Sequence, residues 1–134
     1  MDHCIFCKLI ENNAVMRVYD DEWTVAFMDI ANDVDGHIIV APKKHVKSIL
    51  DCDDETLKRL MNTVKKVSNH LVGHCGYEGI NLLNASDESA GQSVPHFHIH
   101  IIPRNKEDGI DAWPVFDGAK QDLQTIYKKI KMVD

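Results

Sequence analysis

Residues 94 to 104, VPHFHIHIIPR, constrain this chain more than any other stretch. Three histidines alternate with apolar residues and run straight into Ile101 and Ile102. Strict alternation is the period of a β-strand, whose successive side chains point to opposite faces. On such a strand His96, His98 and His100 line one face, each about 6.6 Å from the next. Phe97, Ile99 and Ile101 take the other face, which reads as core. Apart from unrelated histidines on a surface strand, two readings explain the row, because packed imidazoles need hydrogen-bond partners or a metal. The row can chelate a catalytic metal, since H-x-H pairs on strands hold zinc. Alternatively, one histidine is a nucleophile tuned by its neighbours: a neutral imidazole nitrogen attacks phosphorus, and the N–P bond formed is readily hydrolysed.

The loop before the row adds weight to the second reading. In GQSVPH, Gly91 has no side chain to keep backbone N–H groups from an anion, and Gln92 and Ser93 bring donors beside it. A phosphate held there would sit at the mouth of the histidine face. The rest of the chain supplies a frame. CIFCKLIENN reads as a short helical turn, and AVMRVYD and WTVAFMD as a β-hairpin across DDE. GHIIVAPKKH reads as a third strand beginning at Gly36 and stopped by Pro42, and GINLLN as a fourth. Between Asp53 and Gly73 the period changes: Leu57, Leu60, Met61, Val64, Val67, Leu71 and Val72 follow helical spacing. Asp51, Asp53, Asp54 and Glu55 place negative charge and cap candidates at its start. A last helix carries Leu123, Ile126, Tyr127 and Ile130 on one face. Together these predict one antiparallel sheet with helices packed against it, an α+β domain.

The chain has 134 residues, a single-domain length that can bury a core without staples. No apolar run approaches the ~20 residues of a membrane span. The opening MDHCIFCKLI lacks a basic region followed by a long apolar stretch, so no signal peptide is expected and the cytoplasm is the predicted compartment. A net charge of −6 argues against bulk nucleic-acid binding, which depends on clustered Lys and Arg. The four cysteines do not read as a disulfide framework: Cys4 and Cys7 form a C-x-x-C pair, while Cys52 and Cys75 stand alone as inert thiols. The pair can bind zinc or serve in redox chemistry. His3 reads as terminal surface, and His70 and His74 belong to the end of the long helix.

HFHIHII resembles the signature of the histidine triad (HIT) family of nucleotide hydrolases and transferases. GQSV, GHIIVAPKKH and AFMDI are similar to that family's other landmarks, in order. The resemblance spans residues 4 to 104. It implies a HIT-like five-stranded antiparallel sheet with a long packed helix and a C-terminal helix, in one domain over residues 1–134. Within it, the zinc-binding N-terminus starts at residue 4, the triad motif occupies 96–102 and a helical tail about 117–132. By the same resemblance His98 is the nucleophile, forming a nucleotidyl-histidine intermediate while a main-chain carbonyl holds its other ring nitrogen. His100 and His37 match positions that flank the α-phosphate. Ser93 and Gln92 would donate to phosphate or leaving-group oxygens, with Ser93 a candidate proton relay, and Gly91 would bring backbone donors to the phosphate. Asn84 resembles an asparagine that contacts ribose or phosphate. Asp29 would take the ribose hydroxyls, with Phe27 and Ile30 walling the base unless they are plain core.

In the zinc-bearing branch of the family, His45 and His96 complete a structural zinc site with Cys4 and Cys7. That removes the first triad histidine from the chemistry, and no catalytic metal is expected. The expected substrates are purine nucleotides: dinucleoside polyphosphates or adenosine phosphoramidates, cleaved to release a nucleoside 5′-monophosphate. A homodimer is expected, and neither a nucleic acid nor a membrane is an expected partner. The rivals are a metallohydrolase using the histidine row as ligands and a non-catalytic nucleotide-binding module.

Overall fold

The computed structural model describes residues 4–13, 15–31 and 33–134; His3 lies outside them. Helix α1 (Ile5–Glu11) is followed by strands β1 (Arg17–Asp20), β2 (Thr24–Met28) and β3 (Ile38–Pro42). The long helix α2 (Asp54–Gly73) precedes β4 (Gly79–Leu83), β5 (Ile99–Arg104) and the final helix α3 (Leu123–Ile130). The strands form one antiparallel sheet in the order β1-β2-β3-β5-β4.

The hairpin turns on Asp21, whose Oδ1 accepts the backbone N–H of Trp23 and Thr24, both at 2.8 Å. Helix α2 starts where Asp53 caps it, its carboxylate accepting the Thr56 N–H at 3.1 Å. Its apolar stripe (Leu60, Val64, Val67, Leu71) packs on Ala26, Ile38, Val40, Phe97, Ile99 and Ile101, closing the main core. Met61 and Val72, which share the helical period, lie at the margin and are exposed. A buried hydroxyl pair, Thr24 Oγ1 and Thr63 Oγ1 at 2.6 Å, satisfies both groups where β2 meets α2. The opposite face of the sheet carries a smaller core of Cys4, Phe6, Val25, Phe27 and Ile39 under α1.

Among the boundaries that differ from the sequence expectation, three have a local cause. The third strand begins at Ile38, because Gly36 sits in a left-handed turn at φ 80°. A side chain at Gly36 would also meet Pro103 and the Tyr77 hydroxyl at 3.0 Å, so the position requires glycine. The fifth strand begins at Ile99, three residues after His96. The backbone of 96–98 bonds outside the ladder: Phe97 N–H donates to Val46 O, and His98 O accepts from the Asn84 side chain. The final helix is shorter than 117–132 because Asp122 caps it at the Thr125 N–H and Lys131 is extended.

Candidate active site

The alternation of residues 96–101 survives although, of the three histidines, only His100 lies in the strand. Phe97, Ile99 and Ile101 join the α2 core, which turns His98 and His100 to the α1 face. There the Phe6 ring meets His98 edge-on, with centroids 4.9 Å apart. His98 Nδ1 lies 2.7 Å from His96 O. A carbonyl only accepts, so Nδ1 carries the hydrogen and Nε2 keeps a free lone pair. Burial pushes the imidazole below its ordinary pKa, against the pull of the His96 carbonyl and Asp29, so the neutral ring persists.

His98 and His100 line a cavity of about 120 Å³ together with Asn84, Gly91, Gln92 and Ser93. Small-molecule sites run from about 300 Å³ upward, so this one suits a phosphoryl group with the rest of a ligand lying outside. Gly91, at φ 94°, closes the turn after the short 3₁₀ segment Glu88–Ala90. Asn84 Nδ2 donates to His98 O at 2.8 Å, bracing the backbone on which His98 stands.

Gln92 is placed differently from the expectation. Its Nε2 donates to Lys47 O at 2.7 Å and Val94 O at 3.0 Å, and its Oε1 accepts the Asp87 N–H at 2.8 Å. The amide is therefore spent on the loop rather than held ready for phosphate. What it holds is strained, since Asp87 sits at φ 79°, ψ 157°, a region that only glycine enters freely. Phe27 is likewise core, packed edge-on against Phe6 at 5.7 Å. Ile30, by contrast, is 87% exposed.

His37 stands beside the cavity rather than among its lining residues. Its Nε2 is 2.8 Å from His100 Nδ1, its Nδ1 is 2.8 Å from Asp33 Oδ1, and Asp29 Oδ2 is 3.5 Å from its Nε2. The bond to His37 holds the Asp33 carboxyl below its usual range. Burial, with His98 and His37 alongside, pushes His100 down to about 4. Asp33 was not a sequence candidate. Its one signal is an acid four residues before a histidine, which in DVDGH reads as an ordinary acidic turn.

A second cluster lies on the same face. Cys4 Sγ, Cys7 Sγ, His45 Nδ1 and His96 Nδ1 converge, with S···N separations of 3.3, 3.3 and 3.4 Å and an N···N separation of 3.3 Å. Bonds of about 2.0 Å to nitrogen and 2.3 Å to sulfur make tetrahedral edges of about 3.3 Å (N···N) and 3.5 Å (N···S). The four donors fit a metal ion. His96 Nε2 is 2.8 Å from Pro42 O, which leaves its Nδ1 lone pair facing the cluster. Burial, then Cys4 alongside, pushes the Cys7 thiol up to about 11, so a cation is what would let both sulfurs act as thiolates. Asp29, His37 and His100 also converge. Their two ring nitrogens, however, are 2.8 Å apart, a hydrogen-bond length well short of the about 3.3 Å between two nitrogens on a tetrahedral zinc.

A five-stranded α+β domain with a histidine row at one sheet end, and a carbonyl-held imidazole in that row, defines the class. The HIT domain profile matches residues 11–107, and the chain belongs to that family. A crystal structure of a HIT-family member from Bacillus subtilis is 40% identical and superposes with a TM-score of 0.81, covering 96% of this chain and 94% of its own. Adenosine 5′-monophosphoramidase hnt1 of Schizosaccharomyces pombe is 32% identical, with 95% of each chain covered. A zinc-bound histidine triad family protein from Mycobacterium smegmatis is 26% identical with a TM-score of 0.77, covering 87% of this chain and 85% of its own.

Proposed function

We propose that this protein is a nucleotidyl hydrolase that releases a nucleoside 5′-monophosphate from a phosphoramidate or a dinucleoside polyphosphate through a covalent adduct on His98. The observation that carries the reading is the 2.7 Å bond from His98 Nδ1 to His96 O. It presents an unprotonated Nε2 on a ring that lines a phosphoryl-sized cavity. Nε2 attacks the α-phosphorus, an N–P bond forms, and the P–N or P–O bond to the leaving group breaks. The charge that develops on the ring is stabilised by the same carbonyl. Ser93 relays a proton to the departing atom. The proton it relays comes from solvent; water then breaks the N–P bond, releasing the monophosphate and the neutral imidazole and returning one proton to solvent. Gly91 and His100 attend the phosphoryl oxygens, Asp29 the ribose, and exposed Ile30 the purine. The hnt1 relative supports a phosphoramidate as substrate.

We also propose that Cys4, Cys7, His45 and His96 hold one structural zinc ion, a reading supported by the fitted donor distances and by the zinc-bound relative. Four protein donors leave no open position for a reacting water, so zinc would brace the strand end rather than join the chemistry. The domain extends over residues 1–134, acts as a homodimer, and works in the cytoplasm, where the metal-binding thiols stay reduced.

The test is turnover of adenosine 5′-phosphoramidate and a diadenosine polyphosphate by wild type and His98→Ala. The variant should lose at least ~10³-fold, about 4 kcal/mol of activation free energy, while nucleotide affinity stays nearly intact. An active His98→Ala protein with rates restored by added zinc would assign the site to a metallohydrolase.

A further inference from the structure

The line Asp33–His37–His100 ends at the cavity, and the proposed reaction gives Asp33 no part. We propose that Asp33 is a positioning residue that lets the His37–His100 pair take up one proton when an anionic phosphoryl group enters, turning His100 into a donor toward it. This rests on the nucleotide reading of the same cavity.

Asp33, as a carboxylate, only accepts, so the hydrogen in its 2.8 Å contact belongs to His37 Nδ1. The 2.8 Å contact between His37 Nε2 and His100 Nδ1 holds a single hydrogen. Two states follow, differing by one proton. In the first, His37 Nε2 accepts from His100 Nδ1, and His100 Nε2 is a bare lone pair. In the second, His37 donates from both nitrogens, His100 accepts at Nδ1, and its proton sits at Nε2. A bare lone pair repels a phosphoryl oxygen and an N–H attracts it, so anion binding selects the second state and draws a proton from solvent.

The charge then rests on His37 rather than His100. Asp33 is at 2.8 Å and Asp29 at 3.5 Å from the His37 ring, whereas His100 has the His98 ring beside it at 4.8 Å. The titratable groups facing the pair are Asp29 from the end of β2, Asp33 from the following loop, and His98 just before β5. Asp29 cannot substitute for Asp33: its Oδ1 accepts the Ala31 N–H, and its Oδ2 faces Nε2, the nitrogen that serves His100.

The probe is the methyl phosphodiester of AMP, whose single negative charge does not titrate in the neutral range, bound to zinc-replete protein. Calorimetry in buffers of different ionisation enthalpy reads protons taken up per ligand, and the pH slope of affinity reads the same quantity. Wild type should take up protons and bind more weakly as pH rises. Asp33→Asn keeps an oxygen near Nδ1 but loses the charge; its uptake and pH slope should fall at least twofold, and Asp33→Glu should restore them. The Asp33 side chain is 55% exposed, so these variants leave the core intact. Unchanged uptake in Asp33→Asn, or none in wild type that binds the ester, overturns the role of Asp33 alone. A wild type that does not bind the ester overturns the nucleotide reading as well.

Discussion

His96 and His98 are two residues apart and are held in opposite tautomers. His96 reaches Pro42 O with Nε2 and turns Nδ1 to the sulfurs; His98 reaches His96 O with Nδ1 and keeps Nε2 for the cavity. Burial holds His98 below the ordinary 6.5, so the ring is neutral at neutral pH and gains its proton only as pH falls through that lower value. The acid limb of kcat/KM should therefore lie below pH 6.5, and a measured limb above it would contradict a buried neutral nucleophile. The alternation of HFHIHII announces the histidine row, but not which nitrogen each ring offers, because that depends on carbonyls brought in by the fold. Gln92 shows the same limit. A polar residue beside a glycine reads as a phosphate donor, yet its three bonds to backbone hold Asp87 in place. Asp33 was invisible for the converse reason, since its partner matters only once His37 and His100 meet across β3 and β5.

At the scale of elements, periodicity located the sheet-forming runs and the long helix, and missed where β3 and β5 begin. Residues 96–98 alternate like a strand, but their backbone groups bond to Val46 and Asn84 instead of to a ladder. Helix α1 has seven residues, too few to be stable by itself. It is tied down by Cys4, which caps it by accepting the Cys7 N–H at 3.2 Å and also lies 3.3 Å from His96 Nδ1. Zinc at this cluster would join α1 to the end of β3 and the approach to β5. Cys4→Ala should then lower the melting temperature more than it lowers turnover per folded molecule. Metal analysis of protein made in zinc-replete medium should give one zinc per chain. None would contradict the structural site, and two would contradict the hydrogen-bonded reading of His37 and His100.

At the scale of the molecule, the family match ends at residue 107 and the tail beyond it lies largely on the outside. No helix among the described residues is long and apolar enough to cross a membrane. The apolar period of α3 is legible in the sequence, but what covers it is not: Leu123 is 83% and Ile130 65% exposed on their own chain. The proposed dimer should give twice the chain's mass by light scattering at micromolar concentration, and a monomer there would contradict it. Trapping the bond from His98 to phosphorus tests the proposed chemistry without an intermediary. Wild type turning over an adenylated substrate is quenched in alkali, where imidazole N–P bonds outlast acid conditions, and its peptides are weighed by mass spectrometry. A nucleoside monophosphate should appear on His98 and be missing from His98→Gly; turnover with no adduct on His98 after an alkaline quench would rule out the covalent route.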